Sequence, residues 1–222
     1  MRELLYKDIR MVLHPTCIIF LSFAAMLFIP SYPYTVACFY TTLSLFFVCL
    51  TARENHDIDY MMMLPIQKKD IVKSRILLFV CIEMANFILT AIVVVIRCTV
   101  CPYENQGGMV PNLVLLGIYL LMYGTFNYVF LTGHYKDVSK VGKPFLLGSI
   151  LMFLFVALEE IIMIAQIVMR QSDKNVTLFL NEMDGGSLMK QLPILLGCIV
   201  LYVLLNITCY KVSVKRLEVQ DL

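Results

Sequence analysis

Long apolar runs alternate with short polar breaks along the whole chain. Six runs approach the roughly 20 residues that an α-helix needs to cross the hydrocarbon of a bilayer. They cover about 13 to 30, 34 to 51, 76 to 96, 112 to 132, 144 to 168 and 192 to 210. The pattern predicts an all-α, polytopic membrane protein: six transmembrane helices in a single transmembrane domain over residues 1 to 222. The first two runs are short and meet at Pro30, Ser31, Tyr32, Pro33 and Tyr34. That junction predicts a tight helical hairpin with prolines at its tip and tyrosines at the membrane interface.

Ahead of the first run, Leu4, Leu5, Ile9, Val12 and Leu13 recur at helical spacing, while Arg2, Glu3, Lys7, Asp8 and Arg10 take the other face. This predicts an amphipathic helix lying in the membrane surface, with His14-Pro15 turning into the first span. The alternative is a merely charged start to that span. No small-x-small cleavage pattern closes the run from Thr16 to Ile29, so it reads as a retained membrane segment rather than a signal peptide.

The longest polar break of the first half is DIDYMMMLPIQKKDIVKSR, Asp57 to Arg75. Pro65 cannot continue a preceding helix but suits the first turn of a new one, so Leu64-Pro65 reads as a break and restart. Before it, Tyr60, Met61, Met62, Met63 and Leu64 form a cluster too short to span and too apolar to face water. After it, Ile66, Ile71 and Val72 alternate with Gln67, Lys68, Lys69, Asp70 and Lys73, a half-polar helix running into the third span. Such an apolar knob beside a basic helix suits docking, either on a partner or on the chain's own amphipathic helix.

Composition agrees with the pattern. The chain is 60% hydrophobic and 15% charged, with a mean hydropathy of +0.81, more than a soluble core requires. A net charge of +2 and no block of like charges argue against nucleic acid as a partner. The charges set topology instead. With the N-terminus inside, fourteen of the 18 basic residues fall in cytoplasmic segments, and Arg97, Arg170, Lys174 and Lys190 remain outside. That bias predicts N-in, C-in.

Candidate chemistry is sparse. Glu83 lies near the middle of the third span with Asn86 on the same face, and Glu159 and Glu160 lie in the outer part of the fifth, followed by Gln166. An intramembrane carboxyl is costly unless neutral, paired or wet. These groups either line a proton or substrate path or make interhelical contacts. Cys98 and Cys101 form a CTVC in a predicted outer loop, open to thiol chemistry or incidental. Nucleotide-phosphate, zinc-protease and serine-hydrolase motifs are missing, and His14, His56 and His134 stand isolated, so no catalytic residue and no metal site is assigned. Asn175-Val-Thr is a formal glycosylation acceptor to which no weight is given.

Together, the charged start LLYKDIR, the short two-span hairpin, the loop ending LPIQKKDIVKSRIL and six spans in about 220 residues resemble ABC-2 type permeases, specifically the small bacterial subgroup without a fused ATPase. Leu64, Pro65, Ile66, Lys68, Asp70, Ile71, Val72, Lys73 and Arg75 match the subgroup's loop. Gln67 departs from it where a capping hydroxyl is usual, as does the Lys69-Asp70 step. The resemblance implies a permease, not itself an enzyme, that pairs as a homo- or heterodimer in the bacterial cytoplasmic membrane. It implies two copies of a separate ABC ATP-binding subunit, which would carry the ATP and Mg while this chain binds no cofactor. The coupling helix would fall on about Asp57 to Lys69, with Asp57, Asp59, Tyr60, Met61, Met62, Met63, Leu64, Pro65, Ile66, Lys68 and Lys69 at the ATPase contact. The connecting helix would fall on Arg2 to Leu13, with Leu4, Leu5, Lys7, Asp8, Ile9 and Arg10. Such permeases export peptides, lipids, drugs and polysaccharides, which implies outward transport. A membrane thiol oxidoreductase using Cys98 and Cys101, or a proton-coupled carrier centred on Glu83, are the alternatives.

Overall fold

The computed structural model describes residues 2–13, 15–29, 32–100, 111–171 and 185–220, apart from a few side chains near the end of the fifth span. Cys101, the Asn175 acceptor and the side chain of Gln166 lie outside the described residues. What is described is helical: α1 (Arg2–Met11), α2 (Thr16–Ser22) continued by a 3₁₀ turn (Phe23–Phe28), α3 (Thr35–Glu54), α4 (Asp57–Met62), α5 (Lys68–Val100), α6 (Leu113–His134), α7 (Gly142–Gln171) and α8 (Gly185–Glu218). No strand occurs among the described residues.

Five helices, α3 and α5 to α8, are long and apolar enough to cross a membrane, and a sixth crossing arises if α1 and the α2–3₁₀ segment, bent by 89°, count as one span. The apolar runs expected at 76–96, 144–168 and 192–210 sit inside α5, α7 and α8, and those at 34–51 and 112–132 match α3 and α6 apart from their first residues, Tyr34 and Asn112, which are the helix N-caps. The first run differs from the expectation. Instead of one helix over 13–30, it folds as seven α-helical residues and six in 3₁₀ form. The tighter 3₁₀ winding rises about 2 Å per residue, which lengthens a segment that is otherwise too short. Its end is secured by Arg97, expected in an outer loop but buried on α5, where Nη1 donates to the Leu27 carbonyl at 2.6 Å. A cation on the open carbonyls of a helix end opposes their partial negative charge. Tyr34, expected at the interface, is buried as well: its ring lies 4.8 Å beneath that guanidinium, and its carbonyl accepts from Tyr119 Oη at 2.5 Å.

Among the spans α3 and α6 are the inner helices, while α5, α7 and α8 turn large apolar faces outward. The most extensive packing is α6 on α8. Gly117 and Gly124, two turns apart on α6, allow it: a Cβ at Gly124 would stand 3.0 Å from Leu205 Cδ1, and one at Gly117 would stand 3.1 Å from Cys198 Sγ. Where lipid offers no hydrophobic gain for helix association, backbones brought this close hold the pair by dispersion.

Candidate functional site

The break at Asp57–Arg75 is the part of the chain where three elements converge. α3 ends at Glu54, and His56 reverses the chain in the left-handed region, φ 50° and ψ 35°. That region is uncommon for non-glycine residues, although histidine is among those enriched there. Asn55 secures the turn by donating its Nδ2 to the Met11 carbonyl at the end of α1. α4 follows as six residues. Pro65 then breaks the chain as expected, but α5 restarts at Lys68 rather than on the proline: a tight turn closes from Ile66 N to the Leu64 carbonyl, and Asp70 N donates to the Gln67 carbonyl.

α1, α4 and α5 are joined by a buried cluster of two cations and two anions. Lys7 Nζ lies 2.6 Å from Asp57 Oδ1 and 2.9 Å from Asp8 Oδ1. Arg75 Nη2 donates to Asp57 Oδ2 at 2.7 Å and stands 3.6 Å from Asp8 Oδ1, while Ser74 Oγ donates to Asp8 Oδ2 at 2.6 Å. Lys7 Nζ also reaches Met61 Sδ at 3.2 Å. Tyr135 packs nearby, and burial, partly opposed by Arg75, holds its phenol above its ordinary range, so it adds no charge. The four ionic groups therefore compensate one another, the condition under which charges are tolerated away from water.

This arrangement corrects the expected faces of α1. Asp8 is 1% exposed, and the buried side runs Leu5, Asp8, Val12, whereas Ile9 faces out at 45%. Leu4 is half-buried, and Arg10 is exposed. The carboxylate turns inward because Ser74 and Arg75 offer it donors there.

The methionine cluster divides. Met61 is fully buried and Met62 half-buried against the core, while Met63 is 83% exposed, Tyr60 59% and Leu64 36%. Asp59 faces out beside His56, with 3.0 Å from Oδ2 to Nδ1. Pro65 and Lys69 are exposed, and Ile66 is half-buried. Lys68 is engaged within the fold: its Nζ donates to the carbonyls of Leu217, Glu218 and Gln220 and so caps the C-terminal end of α8. A cleft of about 180 Å³ separates α4 from the end of α6, lined by Arg53, His56, Asp59, His134 and Ser139 among others.

Within the spans, Glu83 and Asn86 share a buried face of α5 as expected. Tyr202 Oη on α8 donates to Glu83 Oε2 at 2.5 Å, and Tyr123 Oη on α6 donates to Asn86 Oδ1 at 2.8 Å. Asn127 Nδ2 donates to Asn206 Oδ1 at 3.1 Å, completing a polar layer across α5, α6 and α8. Its α6 and α8 members escaped notice in the sequence, although Tyr123 with Asn127 and Tyr202 with Asn206 each stand four residues apart within an apolar run, the spacing of one helical face. Glu159 is buried on α7, and Glu160 is half-exposed. Cys98 is half-buried near the end of α5, with Sγ 3.8 Å from the Pro111 carbonyl. Among the described residues, no group of three His, Cys, Asp or Glu side chains is placed to hold a metal ion.

At the α4 end, ion pairs join three helices beside a short apolar projection. A sequence model of the family described as ABC-2 family transporter protein matches residues 3–216. No curated protein and no solved structure matches the chain.

Proposed function

The chain belongs to the ABC-2 transporter family, and from that premise we propose that it is the permease subunit of an ATP-driven exporter, moved by a separate ATP-binding subunit that docks on α4. Two permease chains pair, each engaging one copy of the ATPase, and ATP and Mg remain with that partner. The α4 end faces the cytoplasm of a bacterial cell, with α1 as connecting helix and α4 as coupling helix. The positive-inside rule supports this placement, since the basic breaks about α1, α4 and the ends of α6 and α8 gather at that end.

One observation carries the reading. α4 and the two residues that follow it present Tyr60, Met63 and Leu64 outward, while Asp57 and Met61 hold the helix inward against α1 and α5. An apolar projection that is exposed on one side and ion-paired to a spanning helix on the other suits the transfer of movement. Closure of the paired ATPases displaces α4, Asp57 carries the displacement to Arg75 at the foot of α5, and Lys7 carries it to α1. No observation favours the thiol or proton-carrier alternatives.

The test is purification of the chain from membranes of its own cell. An ATP-binding cassette subunit is expected to co-purify, and the reconstituted complex to hydrolyse ATP. A preparation with no nucleotide-binding subunit and no ATP-dependent activity would overturn the proposal.

A further inference from the structure

On α8 an outward apolar stripe ends in cations. Val200, Leu204 and Ile207 are exposed, and the same three-to-four-residue spacing continues into Lys211 and Lys215, also exposed. Just where the apolar run gives out, the ends of α6 and α8 enclose an open groove of about 640 Å³. Lys136, Lys211, Lys215 and Arg216 line it, together with Val212, Val219 and Gln220. Arg216 is held in place by donating Nη1 to the Thr132 carbonyl of α6. No acidic side chain among the described residues lines the groove. Asp137, next in sequence to Lys136, is turned to Lys140 at 2.6 Å and to Ser139. Like charges one helical turn apart repel, so four cations around one groove leave a strong local positive potential with no counter-charge among the described lining residues.

We propose that this groove binds the phosphate-bearing headgroup of an anionic phospholipid, whose acyl chain lies along Val200, Leu204 and Ile207. The volume falls within the range of small-molecule sites. The two valines suit the glycerol, and the cations stand at the edge of the apolar run, where a headgroup sits. Continuity with the exposed apolar stripe favours lipid over free phosphate. The proposal is independent of ATPase docking, because it rests on α8 and the end of α6 rather than on α4.

The experiment uses the full-length chain in phosphatidylcholine nanodiscs doped with phosphatidylglycerol, with bound lipid measured by native mass spectrometry and affinity by titration of short-chain phosphatidylglycerol. Phosphatidylglycerol is expected to be retained over phosphatidylcholine. Changing Lys136, Lys211 and Lys215 together to Gln should weaken its binding about a hundredfold, while the triple change to Arg should retain it. If the Gln triple does not fold, Lys211→Gln alone is measured, with about a fivefold loss expected. Equal retention of both lipids, or unchanged affinity in a folded Gln variant, overturns the site. Displacement of the short-chain lipid by inorganic phosphate as effectively as by phosphatidylglycerol overturns its assignment to lipid.

Discussion

Met63→Asp strips the ATP-binding subunit from the complex and leaves the membrane part folded. The side chain is 83% exposed and makes no described contact that holds α4 in place, so the permease loses little when it is changed. At an interface the same position would be covered. A carboxylate put there must shed its water against an apolar surface, and truncations of central interface residues already cost about 2 kcal/mol or more, which is roughly thirtyfold in affinity. The ratio of ATPase to permease after affinity purification is the readout, with the melting temperature of the free permease as control. Met61→Asp is the contrast: Met61 is 1% exposed beside Lys7, so a charge there disturbs the anchoring of α4 itself and lowers the melting temperature. Retention of the ATPase at the wild-type ratio by a folded Met63→Asp chain would falsify docking through α4.

Arg75→Met lowers the stability of the purified chain by about 3–5 kcal/mol, the cost of leaving a buried charge without its partner. Asp57 and Asp8 then share Lys7 alone, and Asp57 Oδ2 loses its donor. A buried ion pair and the apolar residues that would replace it often have similar stability. Lys7→Met, Asp8→Leu, Asp57→Leu and Arg75→Met combined are therefore expected to recover much of the loss. The two variants separate stability from coupling: the apolar quadruple folds, yet ATP turnover in its complex no longer drives transport. Unfolding in a common detergent measures the first property, and transport per ATP in proteoliposomes measures the second. A quadruple variant with wild-type coupling would show that the ion pairs only hold the fold.

Much of the fold was legible because apolar length is a local property. Runs of 18 to 25 residues announce α3 and α5 to α8, and Leu64-Pro65 announces a break, since proline acts on its own neighbours. The winding of the first run is not legible for a related reason. Composition announces its length, and nothing local distinguishes α from 3₁₀ winding in Phe23–Phe28.

The candidate site was only half legible. Helical periodicity assigns Lys7 and Asp8 to water because it cannot see that Asp57, fifty residues on, and Arg75 supply their charges. Arg75 counts in sequence among the fourteen cytoplasmic basic residues, and a cation at the mouth of a span can mark topology or hold a buried partner until that partner is known. Lys68 shows the same limit: its motif points to docking, while its three carbonyl acceptors come from about 150 residues away.

A cysteine in place of Gly117 would set its Cβ 3.4 Å from that of native Cys198, close to the ~3.5–4.5 Å that disulfides span. One substitution thus turns the seam between α6 and α8 into a staple that an oxidant shuts and a reductant opens. It lies towards the opposite end of the bundle from Lys68. Turnover with the staple shut and then open reports directly whether α6 and α8 travel as one body or must part for cargo to pass.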